Sequence, residues 1–200
     1  MVRVAAELTD NPDRLRWNAR YAAGQPASFA AHPLAVEALT LALPDGPVLE
    51  LAAGPSGSAL LAAAAGRQVV VVDASDVALG LLEAEAARRG LAGYLTLTQA
   101  DLAIWQPPPS SYALVLCTGY WDASTDLFPA AVRAVRPGGA LAWDALTPVA
   151  RRRKPTLPAA WCLADGEPAS LLPATWQVIA QYEPADAGGA RRRLLAVRPA

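Results

Sequence analysis

The stretch Val48-Leu49-Glu50-Leu51-Ala52-Ala53-Gly54-Pro55-Ser56-Gly57 leaves few folds open to this chain. A short apolar run reaches an acid, then turns through small residues into an Ala/Leu-rich segment. A second apolar run, Val69 to Val72, ends at another acid, Asp73. That order reads as a strand, a tight turn, a helix and a neighbouring parallel strand whose carboxylate reaches the same sheet edge.

The alternation continues downstream. Strands are expected at Val48–Ala52, Gln68–Asp73, Tyr94–Thr98, Ala113–Cys117 and Ala140–Asp144, with helices at Ser58–Ala65, Val77–Arg89 and Leu127–Val135 between them. Three of the strand runs are continuously apolar, as in parallel strands covered on both faces, and each crossover should be right-handed. A composition that is 54% hydrophobic and 18% charged agrees with a sheet buried on both sides. Upstream, Asn11-Pro12-Asp13 has the form of a helix start, the helix running to about Ala23 and stopping at Gly24. Pro33 opens a second short helix that carries Leu34, Val36, Leu39 and Leu41. Near the end, Trp176–Tyr182 and Arg193–Val197 flank Asp186-Ala187-Gly188-Gly189, a hairpin signal that makes the last strand antiparallel. The expected architecture is α/β: a Rossmann-like, doubly wound, mostly parallel seven-stranded sheet with a terminal antiparallel hairpin strand and helices on both faces. One domain should span 1–200, with cap helices in 1–46, a cofactor-binding core in 47–145, and a cover segment and hairpin in 146–200. Thr147 to Pro158 shows neither period and is expected to be a mobile cover.

Charge and cysteine usage remove several classes. A formal net charge of -1 leaves no electrostatic footprint for nucleic acid. The basic runs Arg151-Arg152-Arg153-Lys154 and Arg191-Arg192-Arg193 read as solvated loop or hairpin faces, with anion contact as the alternative. Cys117 and Cys162 imply neither a disulfide framework nor a metal site. Met1 to Asp10 lacks a signal-peptide core, and no apolar run approaches the ~20 residues that span a bilayer. The expectation is a soluble, cytoplasmic protein, monomeric or homodimeric, without nucleic-acid, membrane or metal partners. His32, the single histidine, stands at a helix start and reads as structural or solvated.

The turn after the first strand bears on the ligand. Ala52-x-Gly54-x-x-Gly57 narrowly misses a dinucleotide motif, because alanine replaces the first glycine. Glu50 argues further against a dinucleotide, since a carboxylate there repels a pyrophosphate. It suits instead a ligand bearing an ammonium and a sulfonium, as S-adenosylmethionine does. Gly54 and Gly57 would let backbone approach such a ligand without a Cβ in the way. Asp73 stands where an acid can bind a ribose diol, or alternatively cap the helix beginning near Asp76. Asp101 and Leu102 could take an adenine amino group and cover the ring, or form a plain strand-end turn.

Five segments in order, Val48–Gly57, Val71–Leu79, Gln99–Leu102, Tyr112–Cys117 and Val135–Ala142 with its Arg136-Pro137-Gly138-Gly139 turn, resemble class I S-adenosylmethionine-dependent methyltransferases over roughly Pro47 to Ala200. Two departures are visible: alanine and serine take glycine positions in the turn, and Glu50 stands where aspartate is common. Trp17-Asn18-Ala19-Arg20-Tyr21-Ala22-Ala23-Gly24 and the segment from Trp161 to Leu172 resemble the tellurite-resistance and thiopurine-type members, which act on small molecules. The resemblance implies a cofactor site of Glu50, Ala52, Gly54, Gly57, Asp73, Ala74, Asp101, Leu102, Cys117 and Trp17. It implies an acceptor side of Arg20, Tyr21, Tyr120, Trp121 and Asp122. For Trp17 and Tyr21 the alternative is an ordinary buried stripe, and for Trp121 simple packing. No catalytic base is assigned: a thiol or selenol acceptor needs little help, whereas a hydroxyl would need a base or a metal. Two other functions stay open, a methyltransferase-like binding module without catalysis and a nicotinamide or flavin oxidoreductase.

Overall fold

The computed structural model describes residues 6–23 and 27–200; Gly24, expected to end the first helix, lies outside the described residues. Seven strands form one sheet: β1 Val48–Leu51, β2 Val69–Asp73, β3 Leu95–Gln99, β4 Tyr112–Thr118, β5 Val135–Leu146, β6 Gln177–Tyr182 and β7 Arg191–Val197. Their order is β3-β2-β1-β4-β5-β7-β6. β1 pairs in parallel with both β2 and β4, β2 with β3, and β4 with β5. Only β7 runs against its neighbours, inserted between β5 and β6. The α/β sheet with a reversed terminal hairpin strand is as the sequence indicates.

The apolar runs conceal a period of two. Leu49, Leu51, Val115, Cys117, Leu141 and Trp143 pack on one face, with Leu127 and Phe128. Their chain neighbours Val48, Leu114, Leu116, Ala140 and Ala142 pack on the other, with Leu34, Leu60, Leu79 and Leu82. Successive strand side chains point to opposite faces, so both alternating sets must be apolar when helices cover both sides.

Among the described residues, six α-helices surround the sheet: α1 Pro12–Ala22, α2 Pro33–Leu39, α3 Gly57–Ala64, α4 Asp76–Arg88, α5 Leu127–Ala134 and α6 Pro148–Arg153. Side chains of Asn11, His32, Ser56, Ser75 and Thr147 cap five of them, each accepting a first-turn backbone N–H. Proline at the first helical position starts α1, α2 and α6.

Two expectations are corrected. The stretch Thr147 to Pro158 contains α6, a helix too short to register a period in the sequence but fixed by its Thr147 cap and proline start. The Arg136-Pro137-Gly138-Gly139 turn does not precede the fifth strand but interrupts it. Tyr112 pairs with Val135 and Leu114 with Ala140, so the four residues loop out of the register. Gly138 has φ +73°, and Gly138 N and Gly139 O bond Arg198 at the end of β7, which satisfies the bulge.

Candidate functional site

The carboxyl ends of β1, β2, β3 and β4 meet beneath α1 and enclose a cleft. The turn after β1 supplies Ala52 and Ala53, the end of β2 Asp73 and Ala74, the residues after β3 Asp101 and Leu102. Thr118, Gly119 and Tyr120 line it from the end of β4, and Asp13, Trp17 and Tyr21 from α1. Among the described residues no lysine or arginine lines it, whereas three carboxylates do.

Asp73 organises the turn. Its Oδ2 accepts a hydrogen bond from Gly54 N at 2.8 Å and its Oδ1 one from Ser75 N at 2.7 Å. Burial raises its pKa, and those backbone N–H groups work in the opposite direction. The helix cap is Ser75 rather than Asp73: Ser75 Oγ accepts from Ala78 N. Gly54 has φ +58°, and a Cβ there would meet Tyr21 Oη at 2.6 Å. Ala52 adopts φ +50° without being glycine.

A polar latch seats α1, none of whose residues is fully buried. Asn11 Nδ2 donates to Asp101 Oδ2 at 2.9 Å, while Arg14 Nε and Asn18 Nδ2 both donate to Asp76 Oδ1, at 2.7 and 2.8 Å. Ser75 Oγ donates to Asn18 Oδ1 at 2.6 Å. Trp17 and Tyr21 stack at 5.9 Å over the cleft. Burial, with Asp73 adding to it, pushes the Tyr21 phenol up to about 12. Arg16 lies between the faces of Trp17 and Trp161, 5.2 and 4.7 Å from their centroids, tying α1 to the segment after α6.

The structure redistributes several expected residues. Glu50 does not line the cleft: it is 1% exposed, accepting a 2.7 Å hydrogen bond from Ser56 Oγ inside the β1–α3 junction. Burial pushes Glu50 up to about 7, against the lowering effect of Ser56. Gly57 is small for another reason than a ligand, since its Cβ would strike Phe29 O at 2.3 Å. Cys117 is wholly buried in the core, where burial raises its thiol pKa. Trp121 packs edge-on against Trp143 and beside Phe128. Asp122 closes a local turn by accepting from Ser124 N at 2.9 Å and from Ser124 Oγ. Arg20 is exposed, its guanidinium 5.4 Å from the Trp17 ring centroid. Trp17, Tyr21, Ala52, Asp73, Ala74, Asp101, Leu102 and Tyr120 do meet in the cleft, and Gly54 underlies it.

Asp13, Ala53, Thr118 and Gly119 escaped the sequence reading. Asp13 had a signal, for it precedes Trp17 and Tyr21 by four and eight residues on one helix face. Asp144 ends the expected strand Ala140–Asp144 and carries no site role in the sequence. It is fully buried at the end of β5, where its Oδ1 accepts from Arg191 Nε at 2.5 Å and its Oδ2 from Arg193 Nε at 3.0 Å. His32 Nε2 stands 3.5 Å from the same Oδ2. Among the described residues no helix is long and apolar enough to cross a membrane.

Residues 48–139 match a family described as a methyltransferase domain. No curated protein sequence matches the chain. Among solved structures, an S-adenosylmethionine dependent methyltransferase from Mesorhizobium loti is 16% identical with a TM-score of 0.66, covering 84% of this chain and 98% of its own. TehB from Haemophilus influenzae is 17% identical with a TM-score of 0.66, over 86% of this chain and 63% of its own. The glycopeptide N-methyltransferase MtfA, complexed with S-adenosyl-L-methionine, is 21% identical with a TM-score of 0.59, over 83% and 86%.

Proposed function

We propose that this chain, which has the Rossmann-like fold of class I methyltransferases and a methyltransferase-domain match over residues 48–139, transfers the methyl group of S-adenosylmethionine to a small-molecule acceptor. The observation that carries this reading is the sign of the cleft. Asp13, Asp73 and Asp101 gather there with the Trp17 and Tyr21 rings, and among the described residues no basic side chain lines it. Such a lining attracts a cationic ligand and repels a pyrophosphate, which disfavours the dinucleotide alternative.

The residues present fit the adenosyl donor. Asp73 presents a carboxylate to ribose hydroxyls, Asp101 accepts from an amino group, and Leu102 offers an apolar surface to a flat ring. The Ala52–Gly54 turn leaves a shallow backbone wall, and the aromatic pair on α1 excludes water. When bound, S-adenosylmethionine supplies an electrophilic methyl group on a good leaving group, and alignment contributes on the order of 7–11 kcal/mol to such reactions. Tyr120 is the acceptor-side residue in the cleft, and burial followed by Asp122 raises its phenol pKa. It therefore offers a neutral hydroxyl rather than a base. With no imidazole or thiol lining the cleft, the arrangement favours an acceptor that is nucleophilic by itself, such as a thiolate or selenolate.

Calorimetric titration with S-adenosylhomocysteine and, separately, with NADH tests the reading. Micromolar binding of the first and none of the second is expected; no heat from the first at millimolar concentration overturns it. Binding without turnover of any thiol acceptor would point to the non-catalytic module instead.

A further inference from the structure

The strand order sets where each part of an adenosyl donor lies. Asp101 follows β3, Asp73 ends β2, the Ala52–Gly54 turn follows β1 and Thr118 ends β4, and the strands stand in the order β3-β2-β1-β4. Neighbouring strands are about 4.8 Å apart. With a base at Asp101 and a ribose at Asp73, the next group of the same molecule reaches the β1 turn, one strand further on. In S-adenosylmethionine that group is the sulfonium with its amino-acid tail, which carries an ammonium and a carboxylate. The acids of the cleft attract the ammonium but repel the carboxylate, and among the described residues no lysine or arginine lines the cleft to hold it. The Gly54 N–H of the turn is already spent on Asp73 Oδ2.

The Tyr21 hydroxyl stands where a donor is wanted. A Cβ on Gly54 would meet Tyr21 Oη at 2.6 Å, so the phenol oxygen lies directly on that turn. Among the described residues Tyr21 Oη makes no hydrogen bond, and the one side-chain N or O atom both sealed from solvent and unpartnered is Trp121 Nε1. Tyr21 Oη therefore keeps access to the cleft that Tyr21 lines. Stacking on Trp17 fixes the direction of the ring. Burial and Asp73 keep the proton on the hydroxyl, while the charge of the preceding Arg20 works against them, so a cation's field also reaches this oxygen. A neutral O–H beside a distant positive charge accommodates a carboxylate where a buried acid would not.

We propose that the Tyr21 hydroxyl is the hydrogen-bond donor that holds the carboxylate of the donor's amino-acid tail. This rests on the methyl-transfer reading above and moves Tyr21 from the acceptor side of the cleft to the donor side. The acceptor end is then left to Thr118, Gly119 and Tyr120, at the end of β4.

The test is calorimetric titration of the whole chain with S-adenosylhomocysteine and with S-adenosyl-3-thiopropylamine, the same molecule lacking only the carboxylate. Three cleft carboxylates by themselves favour the second ligand, which is the more cationic. The hydroxyl site reverses that order, and S-adenosylhomocysteine should bind at least fivefold more tightly. Tyr21→Phe keeps the ring and its stack on Trp17; it should weaken S-adenosylhomocysteine at least fivefold and leave the decarboxylated ligand within twofold. Equal or tighter binding of the decarboxylated ligand by the unaltered protein overturns the proposal, and that comparison needs no variant to fold. A Tyr21→Phe protein that weakens both ligands alike, or neither, overturns it too. If neither ligand binds the unaltered protein, the methyl-transfer reading itself falls.

Discussion

Ala52 and Glu50 lie two residues apart in the turn after β1, and both carry a cost. Ala52 adopts φ +50°, a left-handed conformation that disfavours any residue with a Cβ. Ala52→Gly relieves the strain but adds freedom to the unfolded chain, so a net gain of about 0.5–1 kcal/mol is expected. Thermal unfolding should show it as a rise of about 1–4 °C. Glu50 is held protonated by burial, its pKa pushed from 4.5 up to about 7. The folded state therefore keeps a proton that the unfolded chain releases near 4.5. The resulting stability is complete below that value and disappears as pH rises through about 7, a change on the order of 3 kcal/mol. Glu50→Gln should accordingly stabilise the protein more at pH 8 than at pH 5, and urea unfolding at the two pH values measures the difference. Asp73 carries the binding prediction: Asp73→Asn keeps an acceptor for one backbone N–H but loses the charge facing the donor. Calorimetry should show S-adenosylhomocysteine affinity at least tenfold lower.

At the scale of elements, α1 is attached by polar contacts, and the first half of β7 carries a charge cluster. Arg191-Arg192-Arg193 was expected to be a solvated basic face, yet the strand period separates its members. Arg191 and Arg193 turn to Asp144, and Arg192 turns to Glu183 at 2.9 Å. Asp144→Ala leaves two guanidiniums without their buried partner and should cost about 3–5 kcal/mol, read by denaturant unfolding. For α1, Asp76 receives both Arg14 and Asn18. Asp76→Ala should speed amide exchange across α1 at least severalfold while leaving the β1–β4 amides protected, a contrast that hydrogen-exchange mass spectrometry resolves. Neither device leaves a period in the sequence, because a polar latch and an ion pair join single residues far apart in the chain.

For the whole molecule, the sheet order gathers residues 13, 73, 101 and 119 into one cleft that no local segment contains. Donor binding should therefore stabilise the entire fold. At S-adenosylhomocysteine concentrations one hundred times its dissociation constant, about 2.7 kcal/mol is expected, seen as a concentration-dependent rise in the melting temperature. The α/β class, the parallel core, the reversed last strand and most of the cleft's strand-end residues were legible in the sequence. They depend on apolar runs, turn residues and caps, all of which act within about ten residues of chain. The side on which each strand-end residue would work was not legible. Glu50, Cys117 and Trp121 sit at cleft-like positions in the chain, yet packing turns their side chains into the interior. Asp144 looked like an ordinary strand-end acid until β7 brought two arginines to it. Facing direction and charge pairing depend on which strand lies beside which, and only the assembled sheet determines that.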